Sequence, residues 1–114
     1  MSLSVETITF DSTDPDALAA WWAAAVGGTV TPVLPGQFVL VALSEGPKLG
    51  FQKVDDPTPG KNRLHLDFGA DDAEAEVARL VAAGASETGR HNFGDFGWVV
   101  LADPDGNAFC VAGT

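Results

Sequence analysis

Histidine, aspartate and cysteine are the side chains best able to do chemistry here, and two of these types are scarce. The chain has two histidines, His65 and His91, and one cysteine, Cys110. His65 stands in Leu64-His65-Leu66-Asp67-Phe68, so Asp67 is its i+2 neighbour. On a strand, residues two apart project from one face. Such a pair can orient an imidazole, act as a base, or supply ligands to a divalent ion. Cys110 follows the turn Asp103-Pro104-Asp105-Gly106-Asn107 by three residues. As a thiolate it can bind zinc. As a thiol it is a small buried apolar residue, and no Lys or Arg stands close by in sequence to favour the thiolate. A lone histidine in a sheet is ordinarily a hydrogen-bonding residue. Trp98, in the apolar run before the turn, offers either a stacking wall or plain core packing.

These residues need strands and turns to position them. Val5 to Phe10 alternates as a strand, with Ile8 and Phe10 on one face and Thr7 and Thr9 on the other. Asp14-Pro15-Asp16 opens a helix to about Val26, with Asp14 as N-cap and Pro15 at its first position. Ala19, Trp22, Ala23 and Val26 mark its buried stripe, Leu18 and Trp21 flank it, and Gly27-Gly28 stops it. Strands follow at Thr29–Leu34, where Pro32 signals an edge or a bulge, at Phe38–Leu43 and at Lys48–Val54. The polar, Pro-rich run from Asp55 to Lys61 reads as a linker. The order then repeats: a strand at Arg63–Phe68 and a helix from Asp71-Asp72 to about Ala83, with Val77, Leu80, Val81 and Gly84 on one stripe. A short strand at Ala85–Arg90, a loop at His91–Asp95 and a strand at Phe96–Leu101 precede the last hairpin.

Sliding the chain along itself by 58 residues aligns Thr7–Asp56 with His65–Thr114, and 11 of the 50 pairs are identical. Chance in so Ala-rich a composition supplies roughly four. Matches fall at the strand end (Phe10/Phe68), the helix cap (Asp14/Asp72) and the turn glycine (Gly36/Gly94). The chain is therefore two βαβββ units. The same offset pairs Thr7 with His65, Gln52 with Cys110 and Leu40 with Trp98. Strand parity puts Thr7, Thr9, Gln52, His65, Asp67 and Cys110 on the face away from the apolar side chains.

Such a tandem, with Thr7-Ile8-Thr9-Phe10-Asp11 and Asp14-Pro15-Asp16, Leu64-His65-Leu66-Asp67-Phe68 and Asp71-Asp72, and Asp103-Pro104-Asp105-Gly106-Asn107-Ala108-Phe109-Cys110-Val111, resembles the glyoxalase/bleomycin-resistance/dioxygenase family. This is the vicinal oxygen chelate superfamily, and the chain is most similar to its glyoxalase-like domain proteins. The resemblance implies an α+β fold in one domain over residues 1–114, with units at about 4–56 and 62–114. The units would form facing half-barrels around a cavity, helices on the convex side. It also implies metal-ligand positions on the first and last strand of each unit, which fall on Thr7, Gln52, His65 and Cys110. A catalytic divalent ion wants about three imidazole or carboxylate ligands. This set has one imidazole, an amide, a hydroxyl and a thiol.

The resulting expectation is a small-molecule binding protein without a metal cofactor, enclosing a hydrophobic or aromatic ligand. Thr7, Thr9, Gln52, His65, Asp67, Trp98 and Cys110 would line the site. The alternative is a metal-dependent lyase, isomerase or dioxygenase, with His65, Gln52 and Cys110 as ligands and His65 and Asp67 as catalytic candidates. Unpartnered apolar strands and the family's habit imply a homodimer.

Bulk composition excludes other classes. A formal charge of −10 over 114 residues repels nucleic acid and anionic membranes. The longest apolar run, Ala17 to Gly28, is too short to span a bilayer. One cysteine makes no intramolecular disulfide, and no basic-then-apolar leader opens the sequence, so a cytoplasmic location is expected. Asp103-Pro104-Asp105-Gly106-Asn107 imitates a calcium loop, but its glycine comes too early and no bidentate glutamate follows. Asp95-Phe96-Gly97 has no other kinase feature beside it, and Gly89–Gly97 lacks a phosphate-loop Lys-Ser/Thr.

Overall fold

The structure is a computed structural model that describes residues 5–60, 62 and 64–113. Ser4, Lys61, Arg63 and Thr114, which bound the units, linker and strand expected from sequence, lie outside the described residues. Two compact units divide the chain, Met1–Pro57 and Thr58–Thr114. The first runs β1 (Thr7–Ser12), α1 (Pro15–Val26), β2 (Thr29–Leu34), β3 (Phe38–Ala42) and β4 (Lys48–Lys53). The second runs β5 (Leu66–Ala70), α2 (Ala73–Ala82), β6 (Ser86–Phe93), β7 (Phe96–Ala102) and β8 (Ala108–Gly113). Each unit is thus βαβββ, and the fold is α+β. Strand order is β1-β4-β3-β2 in one sheet and β5-β8-β7-β6 in the other, and neither closes into a barrel. The β1–β4 and β5–β8 pairs are parallel, and the other pairs are antiparallel.

Local chemistry explains the helix ends. Asp14 accepts a hydrogen bond from the Ala17 backbone N–H at 3.2 Å, and Asp72 accepts from Ala75 at 3.1 Å. Both satisfy donors that the first helical turn cannot. Buried Ser12 fixes the approach to the first cap by accepting from the Asp14 N–H at 3.0 Å. Gly27 ends α1 in the left-handed conformation, φ 68°. Gly28 must be glycine for another reason: a Cβ there would lie 2.6 Å from Val41 Cγ1.

In the first unit Leu18, Ala19, Trp22 and Ala23 of α1 are buried, with Val39, Val41, Leu49 and Phe51 of the sheet. Phe10 bridges Trp22 and Phe51, at centroid distances of 5.6 and 5.0 Å. Leu18 is core and not flank, and Val26 is only half-buried. In the second unit Val77 and Leu80 of α2 are buried with Val99, Leu101, Phe109 and Val111. Val81 and Gly84 are exposed, which narrows the expected helical stripe to two residues.

The strand registers revise the internal repeat. In the first unit Thr9 pairs with Gly50, and Gly50 pairs with Leu40. In the second Asp67 pairs with Cys110, and Cys110 pairs with Val100. The structural counterpart of Cys110 is therefore Gly50, and not Gln52, whose counterpart is Ala112. Likewise Trp98 corresponds to Phe38, and not to Leu40. The cause is the hairpin between the third and second strands. β6 and β7 have 8 and 7 residues against 6 and 5 in β2 and β3. Pairing continues out to Phe93 and Phe96 around the turn Gly94-Asp95. His91, Asn92 and Phe93 are accordingly strand, not loop. The offset is 58 residues at β5, 57 or 58 along β6, where the register shifts fall at different places, and 60 from β7 onward. Pro32 does sit on an edge strand beside a register shift.

Candidate functional site

Strand alternation sorts the second unit's side chains. Phe68, Phe109, Val111, Val99 and Leu101 share the face that packs with α2, and Phe68 meets Phe109 edge-on at 6.0 Å. The opposite face carries two register rows. One is Asp67, Cys110 and Val100; the next is Gly69, Ala112, Trp98 and His91.

The first row holds the reactive groups. His65 lies immediately before β5, and its Nε2 is 3.2 Å from Asp67 Oδ1. Their side chains are 41% and 73% exposed, so the pairing by itself stabilises little. Cys110 is 8% exposed, and one donor atom each of His65, Asp67 and Cys110 all lie within 4.8 Å of one another. Imidazole, carboxylate and thiol thus converge, two from one chain segment and one from the strand beside it.

Two features hold the cluster in place. Asn62, which the sequence reading left without a role at the start of the second unit, acts like a strand residue. Its Oδ1 accepts from the Ala108 N–H at 2.8 Å, and its Nδ2 donates to the Ala108 carbonyl at 3.3 Å. Its Nδ2 also donates to the Leu64 carbonyl. The segment leading to His65 is thereby tied to the first residue of β8, two before Cys110. The turn into β8 is built on buried Asp103, whose Oδ1 accepts from the backbone N–H groups of Asp105 and Asn107 at 3.0 and 2.8 Å. The Asn107 side chain donates to both Asp103 oxygens.

The second row is flat at one end and aromatic at the other. Gly69 and Ala112 offer almost no side chain, and beside them stands Trp98. Its ring lies 5.4 Å from His91 at 32°, and 5.8 Å from Phe96 at 31°. Phe96 is 53% exposed. His91 was not singled out from sequence. Its signal was Gly94-Asp95, a two-residue hairpin turn that sets His91 across from Trp98.

Thr7, Thr9 and Gln52 belong to the first unit. Thr7 and Thr9 come together at Gly50: a Cβ built on it would lie 2.9 Å from Thr7 Cγ2, 3.0 Å from Thr9 Oγ1 and 3.2 Å from Phe38 Cζ. Gln52 is exposed and pairs with Asp11 and Phe38. The four symmetric ligand positions expected for a metal therefore hold Thr7, Gly50, His65 and Cys110. A hydroxyl and a hydrogen supply no ligand set for a catalytic ion, so that arrangement does not fit this chain. The donors that do converge are those of the second unit.

A charged cluster lies apart from these rows. Arg90 of β6 donates two bonds to Glu74 of α2, at 2.6 and 2.9 Å, and two to Glu87, at 2.7 and 2.9 Å. These bonds lower the carboxyl pKa of both glutamates and raise that of Arg90.

A family model described as "Glyoxalase-like domain" matches residues 7–112. A glyoxalase/bleomycin resistance protein/dioxygenase family enzyme from Burkholderia phytofirmans is similar in structure, with a TM-score of 0.83 and 18% identity over 97% of this chain and 98% of that one. TnmS3, an antibiotic binding protein from Streptomyces sp. CB03234, has a TM-score of 0.73 and 23% identity, covering 99% of this chain and 98% of its own. The oxidase ChaP-H1 has a TM-score of 0.73 and 20% identity, covering 99% and 97%. No curated protein matches the chain in sequence. Among the described residues, no helix is long and apolar enough to cross a membrane.

Proposed function

Because the chain belongs to the glyoxalase-like domain family, we propose that it works as a single domain that binds a small, flat aromatic molecule without a metal-dependent catalytic step. One observation carries the reading: the aromatic group Trp98, His91 and Phe96 stands beside the bare floor of Gly69 and Ala112 on one sheet face. A planar ring stacks on the indole and covers the floor. His65 and Asp67, one row away, then offer a donor and an acceptor to the ligand's polar edge. The net charge of −10 favours a neutral or cationic ligand over an anionic one. That TnmS3 binds an antibiotic agrees with this use of the fold.

The test is a fluorescence titration with a panel of planar aromatics, run beside thermal unfolding. A ligand at 100 times its Kd raises stability by about 2.7 kcal/mol. Trp98→Ala is expected to abolish the fluorescence change while Trp21 and Trp22 still report. An unchanged titration in that variant would remove Trp98 from the site.

A second reading is a metal-dependent lyase, isomerase or dioxygenase, favoured by the convergence of His65, Asp67 and Cys110. The missing ligands at Thr7 and Gly50 weigh against it. We further propose a cytoplasmic homodimer, supported by the exposed Val30, Val33 and Leu34 of edge strand β2. Light scattering tests the dimer.

A further inference from the structure

We infer that Cys110 is a nucleophile: its thiol, with His65 as base and Asp67 holding the imidazole, adds covalently to a planar electrophile of the quinone class. The reactivity stands on the side-chain cluster, and the choice of a flat, ring-bearing electrophile rests on the stacking reading proposed above.

A thiol, an imidazole and a carboxylate each place one donor atom within 4.8 Å of the other two. The thiolate attacks and the thiol does not, so a neighbouring base is what makes a cysteine reactive. Asp67 Oδ1 is 3.2 Å from His65 Nε2. That contact keeps a proton on Nε2 and leaves Nδ1 as the basic nitrogen of the ring. The imidazole is exposed enough to turn Nδ1 toward the sulfur, and catalytic contacts of this kind often close only when substrate is bound. The first unit cannot do the same: Gly50 stands in the place of Cys110, and Thr7 and Thr9 in those of His65 and Asp67.

Approach selects the electrophile. Cys110 is 8% exposed, so a bulky reagent does not reach its sulfur. A flat one does. In the next row of the same face stand Gly69 and Ala112, with no side chain beyond Cβ, and then Trp98. A bicyclic ring stacked on the indole and lying over that floor brings its edge carbons to the row of Cys110, diagonal to Trp98 across the sheet. Quinones are flat, uncharged and electrophilic at those edge carbons, and a net charge of −10 does not repel them.

The step balances without a further reactant. The Cys110 proton passes to His65, and the sulfur bonds to a ring carbon. The electron pair of the ring's carbon–carbon double bond moves out onto one carbonyl oxygen, which takes the proton back from His65. The hydrogen on the attacked carbon then leaves as a proton for the second oxygen. The product is a hydroquinone thioether: the carbon that gains sulfur is oxidised by the two electrons that reduce the quinone.

Naphthoquinone is the probe, mixed with the untagged full chain under nitrogen and followed by intact mass. A chelator is present throughout, so that no ion held by the same side chains takes part. One equivalent should add, at Cys110, and none in Cys110→Ser. Addition should be faster than to the same chain unfolded in urea, where the thiol has no base beside it. His65→Gln should slow it by about tenfold or more. Asp67 is a positioning residue: Asp67→Asn should lower the maximal rate and leave the half-saturating quinone concentration as it is, and Asp67→Glu should recover part of the rate. Far-ultraviolet dichroism of each variant confirms that it is folded. A native chain no faster than the unfolded one, or His65→Gln reacting as the parent does, would overturn the inference. Trp98→Ala separates it from the stacking reading. A raised half-saturating concentration at the parent's maximal rate supports both, whereas an unchanged concentration removes the stacked ring and leaves the His65-dependent addition standing.

Discussion

The two units share a plan and use it oppositely. At one position of the first sheet, Thr7, Thr9 and Phe38 crowd over Gly50, where even a Cβ would meet all three within 3.2 Å. At the matching position of the second sheet stands Cys110, with His65 and Asp67 beside it. The aromatic residue matching Phe38 is Trp98, and its ring lies against His91 and Phe96. The same scaffold position is thus sealed by packing in one unit and furnished with donor atoms in the other. Duplication of a fold does not duplicate a site. What differs is the length of one hairpin and four side chains.

The largest expected effect concerns the cores. Trp22 of the first helix is 1% exposed and packs on Phe10; its counterpart in the second helix is Leu80. Trp22→Ala should cost about 3–5 kcal/mol and Leu80→Ala about 2–5. Urea unfolding measures both. A smaller loss at Trp22 would mean that the second unit carries the stability.

Next come the turns that lead into the last strand of each unit. Asp103→Ala leaves the Asp105 and Asn107 donors without their acceptor and should cost about 1–3 kcal/mol. Its register counterpart is Leu43, a residue with no polar side chain to lose. Leu43→Asn, tested by the same melts, should not reproduce a turn built like that of Asp103. Equal stability of Asp103→Ala and the parent would deny that turn its role in placing β8.

The sealed position gives a third test. Gly50→Ala forces Thr7, Thr9 and Phe38 apart and should destabilise by about 1–3 kcal/mol. Cys110→Ala inserts no atoms and should cost less. If the two variants melt alike, the crowding at Gly50 is slack.

The smallest effect is acid sensitivity. Arg90 lowers the pKa of Glu74 and Glu87 in the folded chain. The carboxylates therefore contribute stability above their unfolded values near 4.5, and it is lost as pH falls through the lowered folded values. The first unit has Asp16, Val30 and Pro32 at these places, which cannot form such a pairing. Arg90→Gln should flatten the melting temperature's dependence on pH between neutrality and pH about 4. An unchanged slope would assign acid sensitivity to other carboxylates. The glutamates are well exposed, so the effect is small and should shrink further in salt.

Much of this was legible in the residues. Asp14, Asp72 and Pro32 announce the two helix starts and an edge strand because cap and proline chemistry is local. The division into two βαβββ units follows from spacing alone. The register did not follow, because an ungapped slide rewards Phe38/Phe96 and Val41/Val99, while the paired strands match Phe38 with Trp98 and Val41 with Leu101. Face assignments survived this error, since a two-residue slip leaves alternation intact; the pairing of Gln52 with Cys110 did not. His91 and Asn92 looked like loop for want of β propensity, and only their cross-strand partners Trp98 and Gly97 hold them in β6. Asn62 gave no signal: its strand-like bonds depend on Ala108, 46 residues away.

The lengthened hairpin has a further meaning for how such proteins diversify. Inserting one residue before a strand turns its core side chains outward, and the fold is lost. A longer hairpin whose pairing simply runs further out, as in β6 and β7, leaves the register of the rest of the sheet unchanged and keeps every inward residue inward. A doubled domain can therefore lengthen one hairpin and leave its core intact. Here Cys110 is level with Asp67 just as Gly50 is level with Thr9, and at that position only the side chains differ.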